Sequence, residues 1–279
     1  MNMGDMKQKI LIFTDLDGSL LDHDSYSFEG ALPALARIRE ADIPLILTTS
    51  KTRVEIEALQ TELNIRGPFI AENGAAIFFP TSYRNFLIEN AVVLPPYLVI
   101  VLGRPYGEIR RFLDALKLRL PVQGFGDLST ADVARLTGLP VEKARWAKQR
   151  EFTEPFVLGD AGRLGEIEKL AAREGLKVTA GGRFHHLISA GQDKGLAVAL
   201  AHEIFSANCP EGVVSVALGD SPNDLSMLGR VDIPILIPQQ GGHYLDVRLP
   251  RLRKARYPGS RGWNEVIERV LDELQENTG

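Results

Sequence analysis

A single cysteine, Cys209, stands among 279 residues. One thiol cannot build an intrachain disulfide framework or a multi-cysteine zinc site, and such scarcity fits a reducing, cytoplasmic setting. Tryptophan is scarce as well; Trp146 and Trp263 are its two copies, and both read as packing residues. No apolar run approaches the ~18 residues that a membrane helix needs. The polar stretch 1–9 leads into the apolar run 10–13, which is too short for the core of a signal peptide. An excess of positive charge is missing too: 32 Lys and Arg face 36 Asp and Glu, for a net charge of −4. That balance argues against a global nucleic-acid or anionic-membrane footprint. Glycine (26) and proline (16) fall short of a collagen or low-complexity chain. What remains, 44% hydrophobic and 24% charged, is an ordinary globular composition, enough for one large domain or two smaller ones.

The apolar run 10–13 has the form of a strand buried on both faces. A helical stripe of Leu32, Leu35 and Ile38 follows, then a second run at 43–47. A second helix carries Val54, Leu59 and Leu63, and a third run starts at Phe69. Strands and helices alternating at this spacing predict βαβ units and a parallel sheet. The rhythm changes after Phe79. Strand 97–102, helix 106–118, a helix capped by Ser129 and Asp132, and helices 141–149 and 163–174 are expected. The segments 177–180 and 183–189, on either side of Gly181-Gly182, have the form of a hairpin. From Leu196 the α/β rhythm returns, with strands at 213–218 and 233–237 and a last helix from Trp263 to about 275. The expected fold class is α/β: a doubly wound, Rossmann-like parallel-sheet core from residues 1–82 and 190–279, with an α+β insertion at 83–189. No internal repeat is visible.

Two acidic clusters stand out. Asp15-Leu16-Asp17-Gly18-Ser19 follows the first strand directly. Ligands of open parallel sheets bind just beyond the carboxyl ends of strands. A period of two would put Asp15 and Asp17 on one side, and Gly18 lets the chain turn away. Gly219-Asp220-Ser221-Pro222-Asn223-Asp224 repeats the situation after strand 213–218. Each cluster alone could be a turn or a helix cap. Four carboxylates converging on one sheet edge would repel one another, and a hard cation with oxygen ligands, Mg²⁺ above all, is the ordinary remedy. Thr49-Ser50-Lys51 ends the second strand, where a hydroxyl and backbone N–H groups could hold an anion or simply cap a helix. Lys194 follows the insertion, just before a helix.

In this order, Asp15–Ser19, Thr49, Lys194 and 219–224 resemble the four motifs of haloacid-dehalogenase-superfamily phosphatases. The insertion looks like the large α/β cap of the Cof-type subclass. More narrowly, the chain is similar to the mannosyl-3-phosphoglycerate phosphatases over about 9–269. Thr49-Ser50-Lys51-Thr52-Arg53, Glu72-Asn73-Gly74, Arg150-Glu151-Phe152 and Gly181-Gly182-Arg183-Phe184-His185 support that likeness, as do stretches at 124–128 and 134–139. Glucosyl-3-phosphoglycerate phosphatases stand close. The resemblance implies Asp15 as nucleophile and Asp17 as acid and base, with Thr49 and Lys194 on the phosphoryl oxygens. It implies Mg²⁺ held by Asp15, Asp220 and the Asp17 carbonyl, with Asp224 orienting the site. The implied substrate is a small phosphorylated sugar-glycerate, met by Ser50, Lys51, Arg53, Asn73, Arg183, His185 and Asn223. Strand alternation puts Arg183 and His185 on one face, and Phe184 and His186 on the other; His186 is read as a surface or satisfied core residue.

Two other readings remain. One is a different sugar phosphatase, or a phosphomutase, with a similar cap. The other is a nucleic-acid or regulatory module using the basic run Arg248, Arg251, Arg253, Lys254 and Arg256. That run reads as a solvated loop in an acidic chain, and a binding module would leave both acidic clusters without a purpose. No nucleic-acid or membrane partner is expected.

Overall fold

The structure is a computed structural model and describes residues 8–181 and 184–276. Along the chain run β1 (Lys9–Thr14), α1 (Leu32–Glu40), β2 (Leu45–Thr48), α2 (Arg53–Glu62), β3 (Phe69–Ala71), β4 (Ala76–Pro80), β5 (Val92–Leu94) and β6 (Tyr97–Val101). Next come α3 (Tyr106–Lys117), β7 (Val122–Gly124), α4 (Thr130–Thr137), α5 (Val141–Ala147), β8 (Glu154–Leu158), α6 (Leu164–Arg173), β9 (Leu176–Gly181) and β10 (Phe184–Ser189). The chain ends with α7 (Lys194–Asn208), β11 (Val213–Gly219), α8 (Leu225–Leu228), β12 (Ile233–Leu236), β13 (Arg253–Lys254) and α9 (Gly259–Glu276). Among the described residues no helix is long and apolar enough to cross a membrane.

Nine strands form one sheet in the order β13-β12-β11-β1-β2-β3-β4-β6-β5. The strands from β13 to β3 pair in parallel, and β4, β6 and β5 continue antiparallel. The apolar runs are continuous because alternate side chains enter different cores. Ile12, Leu47, Val216 and Leu218 pack with Leu35, Ile56 and Trp263 under α1, α2 and α9. Leu11, Phe13, Ile46 and Ala217 pack with Val198 and Phe205 under α7. Burying both faces of the central strands is what a doubly wound sheet requires.

The strands β5 and β6 correct one expectation. Their sequence lies within the span 83–189 assigned to the insertion, yet they hydrogen-bond into the large sheet. Glu72, Asn73 and Gly74 take φ of 50°, 60° and 83°, and this left-handed turn folds β4 back onto β3. The hairpin β5–β6 then extends the antiparallel edge. Gly74 is required there, since a Cβ would lie 2.2 Å from the Asp193 carbonyl oxygen.

A second, antiparallel sheet has the order β7-β8-β10-β9. One face packs Phe156 and Leu187 on Ile109 and Leu113 of α3 and Ile167 of α6. The other face carries Phe184 against Phe125, Val133 of α4 and Ala144 of α5. Capping boxes start α2 (Thr52 with Glu55) and α4 (Ser129 with Asp132), and Gly138 ends α4 in the left-handed conformation.

Candidate active site

Parallel pairing sets Thr14 beside Leu218, so the loops after β1 and β11 leave the sheet at the same edge. The Asp15 N–H donates to the Leu218 carbonyl at 2.9 Å. Thr14 Oγ1 donates to the Asp15 carbonyl at 2.7 Å and accepts from Trp263 Nε1 at 2.9 Å. Gly18, at φ 84°, brings the first loop against the second; a Cβ there would lie 2.5 Å from Asp220 Oδ2. Ser19 Oγ donates to Asp220 Oδ1 at 3.3 Å. Asp224 is fully buried. Its Oδ2 accepts from the N–H groups of Asp220 and Ser221 and from the Ser221 hydroxyl, at 2.9–3.1 Å. Its Oδ1 accepts from Lys194 Nζ at 2.7 Å, and the same ammonium donates to Asp15 Oδ1 at 2.6 Å.

Oxygens of Asp15, Asp220 and Asp224 all lie within 4.8 Å of one another. Burial raises the pKa of Asp15, and the charge of Asp224 adds to the rise while Lys194 opposes it. Asp220 is raised by burial and by Asp15 and Asp224. Burial works against the charge of Lys194, but Asp15 and Asp224 outweigh it and raise its pKa. Asp17 stands apart from these three. Its Oδ2 accepts from Lys51 Nζ at 2.8 Å, and its Oδ1 is buried without a hydrogen-bond partner. Four carboxylates against two ammoniums leave net negative charge, and the donor set is all oxygen. That environment fits a hard divalent cation held by Asp15 and Asp220, with Asp224 tying the loop beneath them.

The loop after β2 completes the floor. Thr49 is buried, and its Oγ1 accepts from the Lys51 N–H at 3.2 Å. Ser50 and Lys51 face a cavity of about 440 Å³ that also opens onto Asp15, Asp17 and Asp220. Asn223 lines this cavity and donates from Nδ2 to Asn73 Oδ1 at 3.0 Å. Asn73 lies behind it, buried, with its own Nδ2 unpartnered.

The second sheet supplies the roof, where two expected residues take other places. Arg53 does not line the cavity; it pairs with Glu151 at 2.8 Å and Glu57 at 3.1 Å. His185 does not line it either. Its strand position opposite Phe156 turns it toward the face covered by α3 and α6, with ring centroids 5.6 Å apart. The alternate residues Phe184 and His186 line the cavity instead. Arg183 lies outside the described residues.

His186, expected at the surface or as a satisfied core residue, borders the cavity. Burial, then the charges of Arg150 and Lys194, push its pKa down to about 3, so it is neutral. Arg150, Tyr26 and Phe125 also border the cavity without having been singled out as site residues. Arg150 was visible within Arg150-Glu151-Phe152, but its role depends on a long-range contact: Nη2 donates to the Ser50 carbonyl at 2.9 Å. Glu72, equally unassigned, is buried, and its carboxylate accepts from the N–H groups of Glu151, Phe152 and Thr153 at 2.7–3.2 Å. It thereby docks the 151–153 segment on the large sheet. The basic run meets other partners: Arg253 pairs with Glu273 at 2.6 Å, and Lys254 lies over the Tyr244 ring.

A family model described as haloacid dehalogenase-like hydrolase matches residues 12–96. A curated protein of Persephonella marina, named glucosyl-3-phosphoglycerate/mannosyl-3-phosphoglycerate phosphatase, is 50% identical over 270 residues, covering 95% of this chain and 98% of the relative. One of the same name from Methanococcoides burtonii is 42% identical, covering 93% and 96%. Among solved structures, protein 0175 of Thermoplasma acidophilum superposes with a TM-score of 0.67 at 19% identity, over 96% of this chain and 99% of that one. At that identity the likeness speaks for the fold.

Proposed function

The chain belongs to the haloacid dehalogenase-like hydrolases and is a phosphatase, and from that premise we propose that its substrates are sugar-3-phosphoglycerates, mannosyl-3-phosphoglycerate first among them. One observation carries the reading: a single cavity joins the acid cluster of the large sheet to an aromatic wall of the inserted sheet. The floor suits a phosphoryl group, and the wall suits a sugar. The names of the two relatives support both sugar epimers as substrates.

In the proposed mechanism, the Asp15 carboxylate attacks phosphorus, and the bond to the substrate oxygen breaks. The departing alkoxide takes a proton from Asp17, leaving an aspartyl-phosphate and a free sugar-glycerate. A water then attacks that phosphorus, gives its proton to Asp17 and releases inorganic phosphate, which restores Asp15. Lys51, 2.8 Å from Asp17, stabilises its ionised form between the two steps. Lys194 orients Asp15 and offers positive charge to the phosphoryl oxygens, and Thr49 orders the loop on which they rest. When bound at Asp15, Asp220 and the Asp17 carbonyl, Mg²⁺ supplies charge neutralisation for the phosphoryl group. The inserted unit, from the end of β6 to the start of α7, acts as a cap that excludes water and selects the sugar.

Phosphate release from mannosyl-3-phosphoglycerate, glucosyl-3-phosphoglycerate and simple sugar phosphates, with Mg²⁺ and with a chelator, tests the proposal. The sugar-phosphoglycerates are expected to turn over fastest, and only with Mg²⁺. Equal or better turnover of simple sugar phosphates would overturn the substrate assignment.

A further inference from the structure

We propose that Arg150 is a specificity residue that reads the carboxylate of the phosphoglycerate unit; the inference deepens the proposed function and rests on it. Arg150 follows α5, at the joint where the inserted unit touches the large sheet. It is 8% exposed and borders the cavity. Two of its three guanidinium nitrogens are committed to the fold. Nε donates to the Thr153 carbonyl at 3.3 Å and faces Glu72 Oε2 at 3.3 Å. Nη2 donates to the Ser50 carbonyl at 2.9 Å and to Thr153 Oγ1 at 2.5 Å. Nη1 has no hydrogen-bond partner among the described residues, and it is not sealed in the interior.

Glu72 pairs with the Nε side of this guanidinium at 3.3 Å, and its oxygens also accept from three backbone N–H groups and the Thr153 hydroxyl. That pairing leaves the Nη1 edge unengaged. The cations of the large sheet are engaged differently. Lys51 faces Asp17, and Lys194 bridges Asp15 and Asp224. Arg53 is spent on Glu57 and Glu151 outside the cavity. Arg150 thus presents a pinned guanidinium edge beside a neutral His186.

The position suits the chemistry. Arg150 bonds the carbonyl of Ser50, the neighbour of Thr49, where the phosphoryl group is proposed to rest. A phosphoglycerate carries its carboxylate at the far end of a three-carbon chain from its phosphate. A group held at the phosphate loop can therefore deliver the carboxylate to a cation one side chain away. A planar guanidinium, immobilised before binding, favours a carboxylate over a hydroxyl at that place.

The test uses the hydrolysis of p-nitrophenyl phosphate, which contains neither sugar nor carboxylate. 3-Phosphoglycerate and glycerol 3-phosphate serve as competitive inhibitors of it, in the wild type and in Arg150→Met and Arg150→Lys. The wild type is expected to prefer 3-phosphoglycerate by about 10- to 150-fold, the worth of one charge-assisted hydrogen bond. Arg150→Met is expected to bring the ratio close to one, and Arg150→Lys to hold it in between. If the Met variant does not fold, as a melting curve will tell, the Lys variant carries the test. A ratio unchanged by either folded variant, or a wild type without preference, overturns the proposal. Failure of the wild type to cleave sugar-phosphoglycerates while the inhibitor ratio still depends on Arg150 would refute the substrate assignment and leave the carboxylate site standing.

Discussion

The floor of the cavity is built from strand ends and short loops of the large sheet, whereas its roof is one face of a small antiparallel sheet. On the floor, charged groups are held by their own loops, by the loop after the neighbouring parallel strand and by Lys194 at the start of α7. Asp224, for example, ties down Asp220 and Ser221 through their own backbone N–H groups. On the roof, Phe184 meets Phe125 edge to face with ring centroids 5.0 Å apart, and the charge comes from Arg150, which reaches across to Ser50. Substitutions on the floor should therefore strike the chemical step, and substitutions on the roof should strike affinity and substrate choice. Each of the following experiments can break that division.

Asp15→Asn is expected to have the largest effect, a fall of about 10⁴-fold or more in kcat on every phosphate ester, the scale seen when a nucleophile is removed. Single-turnover kinetics on p-nitrophenyl phosphate will measure it; near-normal turnover would end the aspartyl-phosphate mechanism. Asp220→Ala should come next, with loss of about 100-fold or more in Mg²⁺ affinity or activity. A Mg²⁺ titration of activity after chelation reads this directly, and full wild-type activity in excess chelator would remove the metal from the floor.

On the roof, Phe184→Ala is expected to raise KM for a sugar-phosphoglycerate by about 10-fold while kcat stays within about twofold. A matching loss in kcat would mean that roof and floor do not divide the work as described. The smallest effect concerns stability. His186 titrates near 3 when folded and at 6.5 when unfolded, because burial and Arg150 disfavour its charged form. Between those values the unfolded chain binds a proton that the folded chain refuses. Stability from this group is thus present above 6.5 and lost as pH falls toward 3, by at most about 1.4 kcal/mol per pH unit. Urea unfolding at pH 7, 6 and 5 should show a shallower slope for His186→Gln. An identical slope would place the imidazole in contact with solvent.

The same division explains what could be read in the sequence. The runs that became β1, β2 and β11 are apolar on both faces, and the acidic clusters follow two of them at once, so the floor was legible from spacing. The roof was less so. In β8 the residues Glu154-Pro155 argue against a strand, yet Glu154 is fully buried because Arg110, the Tyr106 hydroxyl and the Gly126 N–H satisfy it. Those partners lie far along the chain. In β5, Val92, Val93 and Leu94 are all exposed and show no alternation, which hid the edge of the large sheet. Which face of β10 meets the cavity is hidden from the sequence for a similar reason. Alternation correctly separates His185 from His186, but only the helices packed on Phe156 decide which of them meets the cavity.

The hydrogen bond from Trp263 to Thr14 spans 249 positions, and that from Ser19 to Asp220 spans 201. At ordinary ribosomal speed of roughly 5–20 residues per second, the nascent β1 waits roughly 10–40 s for the second acidic loop. Meanwhile β1 can pair on one side alone, with β2. The inserted unit, which has a core of its own, emerges in this interval; its folding would draw its two ends together and shorten the loop that β11 must close. Catalytic competence is therefore acquired late, when the C-terminal third of the chain docks. A chain arrested during synthesis before that point would hold an exposed strand edge and no working acid cluster.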